Sequence, residues 1–370
     1  MKLLFAIKTL TMPGGGAERV AAQVSAALTD RGHDVAVASF DPPASAPFYD
    51  FDPRVERLSL GIGDVLRRTG PGEALRRMRA LRRLARDRRP DVAVGFMHSI
   101  YLPMGPALLG TGVPLVASEH IAFAHYRTRP LQAALLRLAP FFASTITVLS
   151  PAIRDGFPAS LRRRMTVVPN PVRAPAGERA DVVAEGRAKT LLAVGRLEPQ
   201  KDQATLIDAF ARIADRFADW RLRIVGEGVL RPRLEEQIRT LGLHDRITLP
   251  GASRAIGGEY AAAQLFAMPS TYESFGLTTA EALGHGLPVV GFADCPGTNE
   301  LVRDGVNGRL AAGPDRAAAL AGALAELMAA PARRRELAAA APASIEPFGI
   351  ERIADIWERL LRRAAAGRPE

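Results

Sequence analysis

Arg196 and Lys201 lie within GRLEPQK, residues 195–201, directly after an apolar run at 191–194. Cations at the lip of a buried strand lose hydration unless an anion meets them there, so the spacing points to an anion-binding loop. Two other stretches hold comparable positions. Gly226-Glu227-Gly228 follows the apolar run 222–225, and its glycines let backbone approach a ligand closely. PSTYESFGLTTAE, residues 269–281, follows the run 265–268 and enters a helix near Gly276. A helix start offers unpaired N–H groups and a partial positive charge, a natural phosphate seat. The stretch from Ser274 through Phe275 and Gly276 to Leu277 lies at that start, between Glu273 and Glu281. Carboxylates are poor phosphate ligands and good acceptors for hydroxyls. The combination therefore describes a site for a nucleoside diphosphate joined to a sugar. Each group alone also reads as loop, cap or surface charge, and Glu227 reads equally well as a turn residue.

Such groups need strands that end together at one sheet edge. Residues 2–7 read as a buried strand, 17–29 as a helix stopped at Arg31-Gly32, and 35–39 as the next strand, the start of a doubly wound parallel sheet. Strands over 92–96, 115–118 and 145–149 continue it. The stretch 165–189, with VVPNPV and few large apolar residues, is the expected boundary. A second alternation follows, with strands over 190–194, 222–225, 247–249, 265–268 and 288–291 and helices over 202–217, 230–241 and 277–284. The fold class is α/β, with two Rossmann-like domains whose parallel sheets face one another across a cleft. Their expected limits are 1–170 and 171–350, and 351–370 is expected to form a helix that packs back toward the first domain.

At 370 residues two domains are the default. The formal charge is +10, and it is uneven: residues 1–170 hold 23 Lys and Arg against 13 Asp and Glu, the remainder 26 against 26. A uniformly basic nucleic-acid binder is not built that way, and no nucleic-acid partner is expected. One cysteine, Cys295, allows neither an internal disulfide nor a cysteine-based metal cage. The apolar run between Lys2 and Lys8 is too short for a signal peptide or a membrane span, so a cytoplasmic protein is expected.

GRLEPQK, GEG and ESFGLTTAE occur in the order and spacing of the retaining nucleotide-sugar glycosyltransferases of the GT-B fold, family 4. PVVGFADCPGTNELVRDGVNG resembles the segment that follows in that family, and GGGAER with RGHDV its N-terminal signature. The resemblance implies that Arg196 and Lys201 bind the donor pyrophosphate and stabilise charge on the departing nucleotide. It implies that Glu281 binds the ribose and Glu273 the donor sugar hydroxyls, with Phe275 and Gly276 presenting backbone N–H groups. It also implies that Gly15 and Gly16 reach toward the donor phosphate, and that the N-terminal domain holds a glycan or lipid-linked acceptor. His120, in VASEH, matches the histidine that faces the donor sugar. It is expected to be catalytic without being a general base, since in the family the acceptor proton is thought to go to the donor phosphate. His98 and His125 are rivals for that place. No cofactor is expected beyond the nucleotide-sugar co-substrate. Alternatives are transfer to a soluble small molecule and a non-catalytic nucleotide-sugar-binding scaffold.

GGGAER is no dinucleotide fingerprint, because Arg19 stands where a glycine is required. Asp50-Phe51-Asp52 has the form of a metal-binding DxD, but among prolines and beside a double alternation it is read as no metal site. Residues 66–89 hold ten arginines, with Leu75, Met78, Leu81 and Leu84 at a spacing of three. They read either as a solvated surface helix packing a narrow apolar stripe, or as a helix docking on an anionic membrane at its inner face through residues such as Arg82, Arg83 and Arg86.

Overall fold

Runs such as LLFA and VAVGF carry no polar side chain, which suits strands covered on both faces of a parallel sheet. A computed structural model describes residues 1–65, 67, 69–173, 175, 177, 179–184 and 188–367, so Leu66 and Arg68 of the basic segment and the last three residues of the C-terminal stretch lie outside the described residues. The chain divides into two units, Met1–Pro171 with Ile350–Glu370, and Val172–Gly349.

The first unit holds β1 (Lys2–Ala6), β2 (Asp34–Ser39), β3 (Glu56–Ser59), β4 (Val92–Phe96), β5 (Leu115–Ser118), β6 (Ala143–Val148) and β7 (Met165–Val167). They form one parallel sheet in the order β3-β2-β1-β4-β5-β6-β7. Its helices are α1 (Gly16–Asp30), α2 (Pro71–Arg88), α3 (His98–Leu108), α4 (Pro130–Leu136), α5 (Ala139–Phe142), α6 (Pro151–Asp155) and α7 (Ala159–Arg162). The second unit holds β8 (Lys189–Val194), β9 (Trp220–Val225), β10 (Ile247–Gly251), β11 (Leu265–Met268), β12 (Val289–Phe292) and β13 (Gly308–Ala311), parallel in the order β10-β9-β8-β11-β12-β13. Its helices are α8 (Gln203–Ala211), α9 (Arg231–Thr240), α10 (Ile256–Ala262), α11 (Leu277–Gly284), α12 (Thr298–Leu301), α13 (Arg316–Ala329) and α14 (Pro331–Ala340).

The last helix, α15 (Ile350–Ala365), belongs to the first unit and packs on α1. Trp357 enters the core beside Phe5 and Phe96, at ring separations of 6.4 and 6.3 Å. At the rim, Arg31 pairs with Asp355 at 2.6 Å and with Glu358 at 3.2 Å.

Three differences from the sequence reading have physical causes. The edge strands β3, β7 and β13 escaped notice because they are short, and ERLS is polar, as a strand open to water on one side can be. The helix expected over 202–217 stops at Ala211 and continues as tight turns, with Ile213 N donating to Phe210 O at 3.1 Å. The basic segment forms α2, but its buried row is Arg77, Leu81 and Ala85, while Leu75 is exposed. A spacing of three drifts around a helix, and a spacing of four follows the face more closely. Arg77 joins that face because its guanidinium carbon stacks over Phe40, at 4.5 Å from the ring centre, while the same group donates to Ile62 O at 3.1 and 3.0 Å and pairs with Glu73 at 2.6 Å.

Glycine matters most where two loops touch. Gly226 stands at φ +154°, and a Cβ there would sit 1.9 Å from Gly195 O. Gly226→Ala should therefore destabilise the protein by at least about 2 kcal/mol. Gly322, exposed on α13 with open space around it, is the contrast: Gly322→Ala should stabilise by about 0.5–1 kcal/mol. Urea unfolding of both variants measures the difference.

Candidate functional site

β8 and β11 are hydrogen-bonded neighbours at the point where the strand order reverses, and open α/β sheets bind ligands outside the carboxyl ends of such a pair. The loops that leave these two strands are stitched together. Thr271 N donates to Gln200 O at 3.0 Å, and Gln200 Nε2 donates to Tyr272 O at 2.8 Å. On the other flank, Glu273 N donates to Pro296 O at 2.8 Å. Gly297, at φ +81°, comes so close that a Cβ would sit 2.5 Å from Glu273 O. Backbone contacts thus fix where Glu273 stands.

The side chains converge there. Lys201 Nζ lies 2.6 Å from Glu273 Oε1, with side-chain exposures of 14% and 8%. Ser270 Oγ donates to the same oxygen at 2.6 Å. Glu273 thus takes one of the three donors of the ammonium group. Arg196 is half-exposed and turned onto Glu198 at 2.7 Å. Glu281 is buried on α11 and accepts from Tyr260 Oη at 2.8 Å. The ring of Phe275 packs edge-on against Phe348 at 5.1 Å, so what Phe275 and Gly276 offer at the start of α11 is main chain. Gly276 caps that helix at φ +86°.

Glu227 and the two glycines that flank it have neighbours within the chain that the sequence did not reveal. Glu227 forms a two-pronged pair with Arg231, at 2.6 and 2.9 Å. The glycines on either side of it serve the approach of backbone to backbone: Leu197 N donates to Glu227 O at 2.9 Å, and a Cβ on Gly228 would meet Leu197 O at 2.4 Å.

Arg316, Tyr260 and Ser270 were missed by sequence reasoning. Arg316 starts α13, with its guanidinium carbon 3.6 Å above the ring of Phe292. It reaches Asp294 at 3.0 Å, Ser270 O at 3.3 Å and Asp202 at 3.7 Å, tying three loops together. The only sequence signal was a cap, Asp315, whose carboxylate accepts from Ala318 N at 3.0 Å; a cap locates a helix start without saying where the next side chain points.

In the first unit the order reverses at β1 and β4, and the segments that follow β1, β4 and β5 carry Gly15 with Gly16 at the start of α1, His98 at the start of α3, and His120. Gly15 is the N-cap of α1, with Gly14 before it at φ +69°. His120 Nε2 lies 3.0 Å from Ser118 Oγ, which accepts from Thr147 Oγ1 at 3.0 Å. Burial lowers its pKa to about 4, so the ring is neutral at pH 7. His98 belongs to a separate network. Tyr101 and Tyr126 donate to Glu119 Oε2 at 2.6 and 3.0 Å. Tyr126, whose one O–H is engaged by Glu119, accepts from His98 Nδ1 at 2.8 Å. Burial, with smaller effects of His125 and Arg129, lowers His98 to about 4, and burial raises Glu119 to about 7. The ring of His125 lies 6.5 Å from that of His98.

Asp52 of the DxD stretch is engaged by Arg54 at 2.7 and 2.9 Å, and these hydrogen bonds hold its pKa down to about 2. Among the described residues no three His, Cys, Asp or Glu side chains gather in a metal-holding group.

With this geometry in hand, comparison with known proteins is informative. Residues 14–174 match the model of Glycosyltransferase Family 4, and residues 177–344 match that of Glycosyl transferases group 1. A Campylobacter jejuni protein named GalNAc-alpha-(1->4)-GalNAc-alpha-(1->3)-diNAcBac-PP-undecaprenol alpha-1,4-N-acetyl-D-galactosaminyltransferase is 25% identical over 364 residues, covering 98% of each chain. Among solved structures, sucrose-phosphate synthase from Thermosynechococcus elongatus superposes with a TM-score of 0.86 at 21% identity over 99% of each chain. Anabaena HepE in complex with UDP-glucose gives 0.81 at 22% identity over 98% of this chain and 99% of its own.

The two low histidine values set a pH dependence. Each ring binds a proton in the unfolded chain near pH 6.5 but in the native state only near pH 4, so stability falls as pH drops through that window. Glu119 acts in the opposite sense, its contribution being present at low pH and lost as pH rises through about 7. His98→Gln should remove up to about 1.4 kcal/mol per pH unit of the acid-side slope. Melting temperature against pH, variant beside wild type, checks this; parallel curves would refute it.

Proposed function

The chain belongs to the glycosyltransferases of the GT-B fold, its two halves carrying the family 4 and group 1 signatures, and from that premise we propose a metal-independent, retaining transfer of a hexose from a nucleoside diphosphate sugar to a hydroxyl of a lipid-linked glycan. The observation that carries the reading is the Lys201–Glu273 pair at the crevice beside β8 and β11. It sets a cation for a diphosphate next to an acceptor for sugar hydroxyls. Arg196, paired among the described residues with the partly exposed Glu198, can turn to the same anion. The start of α11 adds main-chain donors, and Glu281, positioned by Tyr260, suits a ribose.

Chemically, the bond from the anomeric carbon to the diphosphate breaks and a bond to the acceptor oxygen forms on the same face. The acceptor proton passes to the departing phosphate oxygen. Negative charge grows on the leaving diphosphate, where Lys201 and Arg196 stabilise the transition state more than the bound donor. His120, neutral at pH 7, serves as a hydrogen-bonding partner of the sugar; a ring with so low a pKa is a weak base. The Campylobacter relative, whose name carries an undecaprenol-linked acceptor, supports a lipid-linked acceptor, and the HepE complex supports a UDP-sugar donor.

Thermal shifts with UDP, GDP, ADP and TDP and their common sugars, with and without EDTA, test this. One series at about a hundred times its dissociation constant should add roughly 2.7 kcal/mol of stability, unaffected by EDTA. Lys201→Met alone would leave Glu273 buried without its cation, at a cost of about 3–5 kcal/mol, so the informative variant is Lys201→Met with Glu273→Gln, which should keep its melting point better and lose the shift. Absence of any nucleotide shift in the wild type would overturn the reading. The anomeric coupling in the product's NMR spectrum should match that of the donor; inversion would contradict retention.

A further inference from the structure

The first unit exposes a cluster of apolar side chains that the proposed reaction does not use. Of the nine large hydrophobic side chains exposed among the described residues, five come from one stretch: Leu109, Leu131, Leu135, Leu138 and Phe141. Leu131 and Phe141 stand 73% and 78% exposed. They are neighbours through the fold as well as in sequence. α3, which ends just before Leu109, packs against both α4 and α5. A Cβ on Gly105 of α3 would lie 2.6 Å from Phe142 Cβ, so α5 rests directly on α3. From the other side, Arg82 of α2 donates to Ala107 O at 2.8 Å and to Leu109 O at 2.7 Å, which brings the basic helix to the edge of the same patch.

The charge around this cluster is strongly biased, with Asp87 of α2 the acidic exception on that helix's exposed side. No acidic residue occurs between Glu119, which is buried, and Asp155, while Arg127, Arg129 and Arg137 are exposed. α2 adds exposed arginines at 79, 83 and 86. A rim this basic disfavours a second copy of this chain as the natural occupant, because a twofold contact would set arginine mostly against arginine. Apolar side chains at the centre and long cationic ones around them, with stems able to lie along an apolar surface, fit a sheet of hydrocarbon under anionic headgroups.

We infer that α4 and α5, flanked by α2, form a docking surface for an anionic lipid bilayer. Leu131, Leu135, Leu138 and Phe141 enter the interface, and the arginines meet lipid phosphates. The basic helix is then not the inserting element, since its own apolar row faces inward at Leu81 and Ala85. The binding is peripheral, for among the described residues no helix is long and apolar enough to cross a membrane. The inference deepens the lipid-linked acceptor reading, yet it is measured without turnover, so the two can fail separately.

Flotation of the full-length protein with phosphatidylcholine vesicles, with and without about one third phosphatidylglycerol, tests it. Wild type should float with the anionic vesicles and remain in solution with the neutral ones. The exposed double variant Leu131→Ser with Phe141→Ser should bind at least about tenfold more weakly while keeping its melting temperature and its nucleotide-induced shift. Val229→Ser, which removes an exposed apolar side chain from the second unit, should bind as wild type does. Arg79→Glu with Arg83→Glu and Arg86→Glu should weaken binding most at low salt. Failure of wild type to float, undiminished binding by the Leu131 and Phe141 variant, or a concentration-dependent dimer that this variant abolishes would each overturn the inference.

Discussion

Lys201 and Glu273 face one another across 2.6 Å where water hardly reaches either. Taking two charges out of water costs several kcal/mol per ion before their attraction returns any of it, and apolar side chains of the same volume would often stabilise as well or better. The pair persists because the surrounding backbone leaves Glu273 nowhere else to go: its N–H is tied to Pro296 O, its carbonyl is covered by Gly297, and its carboxylate is met by Ser270. A fixed carboxylate then fixes the lysine. The result is an ammonium group held at the reversal point of a parallel sheet.

That placement depends on contacts made elsewhere in the second unit. Gly226 and Gly228 let the loop after β9 press against the loop after β8, which holds the main chain of residues 195–197 in place. Arg316 lies over Phe292 and binds the loops after β11 and β12 to Asp202. Preorganisation of this kind matters in catalysis because donors already aimed at developing charge need no reorientation when the bond breaks. The first unit follows the same logic with neutral groups. His120 is desolvated and hydrogen-bonded to a serine, whereas Glu119, Tyr101, Tyr126 and His98 share protons in a network beside it.

Much of this was legible in the sequence where apolar runs were long and clean. The strands Val92–Phe96, Leu115–Ser118 and Leu265–Met268 and the helix Leu277–Gly284 lie where periodicity sets them. The three loops were legible because charge and glycine stood immediately after such runs. What escaped was decided by direction rather than by type. Arg77 is buried and Leu75 exposed on the same helix, a reversal that hydrophobicity alone cannot anticipate. Gly226 and Gly228 read as glycines that let backbone approach a ligand, and the structure adds a contact between loops that only the sheet order creates. Tyr260 lies 21 residues before its partner Glu281, and no local pattern joins them.

The most direct measurement is a crystal structure with the intact nucleoside diphosphate sugar bound. The account predicts Lys201 Nζ about 3 Å from a phosphate oxygen of the diphosphate and Glu273 within the same distance of a hydroxyl of the hexose. A diphosphate bound elsewhere, with Lys201 and Glu273 still facing only each other, would contradict it.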